Sequence, residues 1–239
     1  MMLRDLYRLA RILWSERKGV QRPFVVNKMG FDIVSGCQLR CIGCPNSLIQ
    51  PKVRPVELSL FKECLSHIDA DRVHIFRLFN FGEPLLHPNL PGVIATLRES
   101  GVRTDKVEVS TNAQHHPFDA LKEVFKMKVL TLVAASCDGD GTPEEYERLR
   151  PPARWDRLIE FLRRVKELRD EYSPGMKLIT RTICPEESAR NRWRSVLQPL
   201  GWEPQFRGWL DLPHTKKQPE RPIPSANAIC PYVRDHWSF

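Results

Sequence analysis

Six runs rich in β-branched and aromatic residues alternate along this chain with segments whose apolar residues recur at helical spacing, and that alternation limits the fold most. The extended runs cover residues 24–27 with 29–34, then 73–80, 106–109, 129–135, 177–184 and, more weakly, 204–210. Helical patterns follow over 58–68, 91–100, 118–126, 142–151, 154–172 and 186–197. One opens on Thr142, a favoured N-cap residue, with Glu144 and Glu145 in its first turn. The longest places Leu158, Phe161, Leu162, Val165 and Leu168 on one stripe. Alternation this regular predicts a parallel sheet covered by helices. About six units fall short of the eight that close a full barrel. The expected α/β architecture is therefore an open, partial TIM barrel of the (β/α)6 kind, with a doubly wound sheet as the alternative.

The 239 residues suffice for one good core. Residues 1–22 read as an N-terminal amphipathic helix, with Leu3, Leu6, Leu9, Ala10, Leu13 and Trp14 at helical spacing. Residues 23–210 form the core unit. Residues 211–239 read as a Pro-rich tail, or the start of a C-terminal extension, because Pro213, Pro219, Pro222, Pro224 and Pro231 interrupt a polar segment without helical or strand period. No apolar run approaches a membrane span, and the N-terminus lacks the apolar stretch of a signal peptide. Seven cysteines, three of them clustered, do not resemble a secreted disulfide framework, so a reducing, cytoplasmic setting is expected. The net charge of +8 is spread without an RNA-binding motif or an aromatic-interleaved basic stripe. It reads as a solvated basic surface, and nucleic acid is not the expected partner.

The three clustered thiols, Cys37, Cys41 and Cys44, follow the first extended run in the sequence Gly36-Cys37-Gln38-Leu39-Arg40-Cys41-Ile42-Gly43-Cys44-Pro45. A C-x3-C-x2-C loop can wrap one cubane cluster and hold three of its irons, leaving the fourth open to a small chelating molecule. The alternatives on spacing alone are a zinc site completed by a distant His or Cys, or unrelated reduced thiols.

Other unusual polar groups also fall just after predicted strands, the edge at which parallel α/β sheets build their sites. They are Gly82-Glu83-Pro84, Ser110-Thr111-Asn112, Ser136-Cys137-Asp138-Gly139 and Arg181. Each alone is explained by an ordinary turn or cap; their joint placement carries the information. In order and spacing over roughly residues 24–210, they resemble the radical S-adenosylmethionine (SAM) enzymes. That family's cluster motif corresponds to Cys37, Cys41 and Cys44, its GGEP motif to Phe81 through Pro84, and its STN and S-x-D-G strand ends to the two later groups.

The resemblance implies a [4Fe-4S] cluster on the three cysteines and reductive cleavage of SAM to a 5′-deoxyadenosyl radical that abstracts a substrate hydrogen. It further implies that Gly82, Glu83 and Pro84 bind the methionine amino group, largely through backbone carbonyls. Ser110 and Asn112 would meet the ribose or carboxylate, with Ser136 and Arg181 as weaker candidates for SAM contact. A flavodoxin or ferredoxin would supply the electron, and the substrate would be a peptide, protein or cofactor precursor. Two positions depart from the family pattern: Gly43 stands where an aromatic residue often covers the adenine, and Phe81 replaces the first glycine of GGEP. His115, His116 and Asp138 could handle a substrate proton, and Cys137 and Cys184 could donate hydrogen or bind metal, but ordinary loop or core roles are the expectation for all five. Cys230-Pro231-Tyr232 resembles the start of a SPASM- or twitch-like extension, which would be truncated or absent, so no complete auxiliary cluster is expected. The competing class is a non-catalytic zinc or iron-sulfur module that binds nucleic acid.

Overall fold

Parallel strand pairing in chain order organises the computed structural model, which describes residues 25–184, 186–208 and 236–238. The first half contains β1 (Val25–Gly30), β2 (Val34–Ser35), α1 (Pro45–Ile49), β3 (Arg54–Pro55), α2 (Leu58–Ser66), β4 (Arg72–Arg77) and α3 (Leu90–Glu99). Then come β5 (Thr104–Thr111), α4 (Phe118–Lys126), β6 (Leu132–Ser136), α5 (Pro143–Leu149) and α6 (Trp155–Tyr172). The last elements are β7 (Lys177–Ile183), α7 (Glu187–Leu197), β8 (Glu203–Arg207) and β9 (His236–Ser238).

Strands β1, β4, β5, β6, β7 and β8 lie side by side in that order, every pair parallel. Among the described residues β8 does not pair with β1, so the sheet stays open. This is the partial TIM barrel expected from the alternation. Two details differ from that expectation. Residues 29–34 are not one strand: β1 ends at Gly30, and Val34–Ser35 turns away to pair antiparallel with Arg54–Pro55. The tail, read as lacking strand period, contributes β9, which pairs parallel with β1 on its free edge. A ladder of two or three residues is too short to leave a periodic signal. The expected helix over 1–22 lies outside the described residues, as does most of 211–239.

Two of the helices are fixed by side-chain caps as well as by packing. Asn89 caps α3, its side chain accepting the Gly92 N–H at 2.9 Å. Thr142 caps α5 as expected, accepting from Glu145 N. The stripe of α6 from Leu158 to Leu168 is buried, and each such side chain contributes roughly 1.5–3 kcal/mol relative to exposure. No helix among the described residues is long and apolar enough to cross a membrane.

Alternation along the strands separates two faces. Met29, Phe76, Val107, Val109, Val133 and Leu178 belong to the buried face under the helices. The register Arg77↔Glu108 and Ser136↔Arg181 puts Arg77, Glu108, Ser110, Ser136 and Arg181 on the opposite, inner face.

Candidate active site

The thiol loop leaves β2 at Gly36, whose φ of +83° and close approach to the Pro51 and Lys52 carbonyls leave no room for a side chain. A Cβ there would lie 2.8 Å from the Pro51 oxygen. Beyond it the loop is held from several directions. Ser47 donates its hydroxyl to the Cys41 carbonyl at 2.6 Å. Arg40 N–H donates to the Pro151 carbonyl at 2.6 Å and Ile42 N–H to that of Leu149 at 2.8 Å, which sets Cys41 opposite Arg150.

At Cys37, the sulfur accepts from Leu39 N–H at 3.4 Å and from Asn112 Nδ2 at 3.3 Å. Asn112 is kept in place by a reciprocal amide pair with Gln38, with bonds of 3.0 and 3.2 Å. Burial pushes the Cys41 thiol up to about 11, against the pull of the Arg150 guanidinium. Burial also raises Cys37, opposed by the hydrogen bonds from Leu39 and Asn112. Iron would remove those protons outright on binding.

Beside this loop, the turn after β4 is tied down by Asp32. Its carboxylate accepts the backbone N–H groups of Asn80, Phe81 and Gly82, at 2.6, 3.0 and 3.0 Å. The turn also presses against β2: a Cβ on Gly82 would lie 1.6 Å from the Val34 carbonyl oxygen. Glycine is obligatory there. Glu83 then turns inward, 3 % exposed, and accepts from Leu85 N–H at 3.0 Å, the Thr111 hydroxyl at 2.7 Å and Asn112 N–H at 2.7 Å. Burial nevertheless raises its pKa to about 7, against those three donors. Its own N–H donates to the Gly36 carbonyl at 3.0 Å, so the Gly-Glu-Pro turn, the end of β5 and the thiol loop form one hydrogen-bonded unit.

The far side of the loop rests on Arg150, which is buried and pairs with Asp138 through Nη1. Asp138 also accepts Ile183 N–H at 3.0 Å, joining the ends of β6 and β7. Trp193 of α7 donates its indole N–H to the Gly139 carbonyl at 2.9 Å and fixes the same turn. Thus Asp138, for which an ordinary loop or core role is the sequence expectation over proton handling, is committed to an ion pair with Arg150.

The other residues singled out in the sequence divide clearly. Ser110 and Ser136 lie on the inner face near the C-terminal edge, with Ser136 in register with Arg181. Arg181 pairs with Glu108 at 3.3 Å. Cys137 and Cys184 are buried, and burial raises both thiols. His116 packs against Phe118 and Phe161 and faces Glu160, the contacts of a helix-packing residue. Ile42 and Phe81 are 51 % and 56 % exposed at the mouth of the loop. Sequence reasoning missed Asp32, Gln38, Glu108 and Arg150. Each is a lone polar residue whose partner is distant in sequence, so no local spacing announces it.

An open parallel barrel carrying three free thiols at its C-terminal edge defines a cluster-binding α/β enzyme scaffold. The model of the Radical SAM superfamily matches residues 32–189, and the chain belongs to that family, whose members use a [4Fe-4S] cluster and SAM. Solved structures agree in fold. "Native anSMEcpe with bound AdoMet and Cp18Cys peptide" aligns with a TM-score of 0.56 and 16 % identity over 78 % of this chain and 51 % of that one. "Native anSMEcpe with bound AdoMet" gives 0.55 and 19 % over 77 % and 52 %. The chain thus spans about half the length of these structures. No curated protein matches in sequence.

The residues present fit the family's cluster. Cys37, Cys41 and Cys44 are free, partly exposed thiols on one loop, and a cubane takes its thiolates on separate irons. N–H donors at Cys37 and a buried guanidinium opposite Cys41 suit an anionic, thiolate-ligated group.

Proposed function

We propose that this chain is a radical SAM enzyme in which Cys37, Cys41 and Cys44 hold a [4Fe-4S] cluster. With SAM bound, that cluster would supply the electron for reductive cleavage and so the 5′-deoxyadenosyl radical that takes hydrogen from a substrate. The observation that carries the reading is the linkage Gly36–Glu83–Asn112–Cys37, which locks the thiol loop to two neighbouring strand ends.

This chain's own residues then have definable tasks. Asp32 gathers the N–H groups of residues 80–82 on one side. The Glu83 and Pro84 carbonyls already accept Leu86 and His87 N–H at 3.2 and 3.1 Å, which leaves the Gly82 carbonyl and the second lone pairs of the other two for a SAM ammonium. Glu83 serves by holding that turn, its carboxylate being spent on Leu85, Thr111 and Asn112. Ser110 and Ser136 offer polar groups at the same edge for the ribose and carboxylate, whereas the Asn112 amide, engaged with Cys37, Gln38 and the Gln114 N–H, would have to exchange a partner to do so. With Gly43 giving no aromatic cover, the exposed side chains of Ile42 and Phe81 supply an apolar surface for adenine.

Residues 23–210 form the working unit in this reading, with 211–239 a Pro-rich tail or the start of a C-terminal extension. The substrate class is a peptide, protein or cofactor precursor; peptides are named as bound to the similar solved proteins. A flavodoxin or ferredoxin in the cytoplasm is the proposed electron donor. Anaerobic reconstitution tests the proposal. Cluster absorption near roughly 400 nm supports it, and stoichiometric zinc without that absorption overturns it.

A further inference from the structure

A second charged group lies on the inner face, and the thiol loop does not use it. Glu108 on β5 is buried and receives Arg77 Nε from β4 at 3.2 Å and Arg181 Nη2 from β7 at 3.3 Å. Both guanidiniums bind the same oxygen, Oε2. The ring of Phe79 lies 5.8 Å from the Arg77 guanidinium and 5.1 Å from that of Arg181, orienting both. Arg207 on β8 adds a third positive charge felt at Arg181.

One carboxylate therefore pairs with two guanidiniums, with a third cation, the exposed Arg207, acting on Arg181. At Arg181 the Nε is buried and makes no hydrogen bond. Burial, and after it the repulsion of Arg77, holds that guanidinium down at about 10, although Glu108 pulls it up. An under-neutralised buried cation costs folding free energy. An anion bound from outside would offset that cost and give the idle donor an acceptor.

Position fits a substrate site. Glu108 lies two residues before Ser110 and four before Asn112 on β5, and Asn112 touches Cys37. At ~3.3 Å per residue, the charged group is on the order of 10 Å below the thiol loop, on the face that opens toward it.

We propose that Arg77 and Arg181, set on the Phe79 ring, form a subsite for an oxyanion of the substrate, a carboxylate or a phosphate, which competes with Glu108 for them. This rests on the radical SAM reading and adds a substrate class: an anionic molecule anchored below SAM. It also moves Arg181 from the SAM contacts expected from sequence to the substrate.

The test is titration of the whole, cluster-reconstituted chain with two probes in the presence of SAM. Inorganic phosphate is followed by ³¹P line broadening and succinate by its ¹³C carboxylate signal. At least one probe should bind saturably. Phosphate alone identifies a phosphorylated substrate, succinate alone a carboxylate, and both the shared oxyanion chemistry. Arg77→Met and Arg181→Met should each weaken binding about tenfold or more. Glu108→Gln, which removes the competing carboxylate, should tighten it, a gain that a purely structural ion pair would not give. Arg181→Lys, which keeps the charge, serves if Arg181→Met does not fold, and should retain part of the affinity. The proposal is overturned if neither probe saturates, if the Met variants bind like the wild type, or if Arg181→Met weakens SAM binding and leaves the probes unaffected. Failure of the wild type to form 5′-deoxyadenosine would instead sink the radical SAM reading, while the probe titration would still be read on its own.

Discussion

The Asn112 backbone N–H lies 2.7 Å from Glu83 Oε2, while its side chain donates to Cys37 Sγ at 3.3 Å. One asparagine thus couples the Gly-Glu-Pro turn to a thiol of the three-cysteine loop, so a disturbance at Glu83 is expected to reach that loop. The glutamate of this motif acts as a structural clamp.

Glu83 should give the protein a recognisable pH dependence. Its folded pKa of about 7 exceeds the unfolded value of 4.5, so between them the native state binds more protons. Stability therefore falls as pH rises through that window, with a slope of at most about 1.4 kcal/mol per pH unit. Because the lowered His115 pKa contributes the opposite slope in this window, the difference between wild type and Glu83→Gln carries the effect. In urea unfolding of the cluster-free chain from pH 4.5 to 7.5, the wild type should lose stability with rising pH relative to Glu83→Gln. Equal slopes would place the titration elsewhere.

Gly82→Ala should be among the most damaging small substitutions. The new methyl would meet the Val34 carbonyl, a backbone group that cannot swing aside. A loss of roughly 2–4 kcal/mol is expected, with weaker SAM binding by equilibrium dialysis. Wild-type stability in this variant would show that the turn does not pack on β2 as described.

Asp32→Ala leaves three backbone N–H groups without their acceptor. The expected cost is roughly 1–3 kcal/mol, and Asp32→Asn should recover part of it. Denaturant midpoints measure both. Because the turn's carbonyls lose their orientation, SAM affinity should fall in parallel.

Much of the scaffold was legible because long periodic segments announce themselves. The stripe Leu158 to Leu168 and the run 177–184 appear nearly at the observed bounds of α6 and β7. The hairpin of β2 with β3, the five-residue α1 and the added β9 were not legible, since each is shorter than the window over which periodicity can be seen. The site divides the same way. Cysteines, glycines and strand-end polar triplets carry spacing that a sequence displays. Asp32 with residues 80–82, or Arg150 with Cys41, are pairings made by topology alone, and nothing near Arg150 marks it as other than a surface arginine.

Arg150 is accordingly an informative substitution. Removing its charge leaves the largely buried Asp138 carboxylate with the Ile183 N–H but without its cation, and takes a positive charge from beside Cys41. Arg150→Met should destabilise the chain by roughly 3–5 kcal/mol and lower the iron retained per chain after reconstitution. Arg150→Lys should retain more iron. Unchanged iron content in Arg150→Met would show that the cluster loop does not depend on this contact.

The most direct measurement is 5′-deoxyadenosine formed from SAM by the anaerobically reconstituted protein under dithionite reduction, quantified by chromatography. The wild type should form it, and Cys37→Ala, Cys41→Ala and Cys44→Ala should each abolish it together with the cluster absorption. A wild type that holds its cluster and SAM yet forms none, or a Cys41→Ala variant that still does, would contradict the assignment of this loop as the source of the radical.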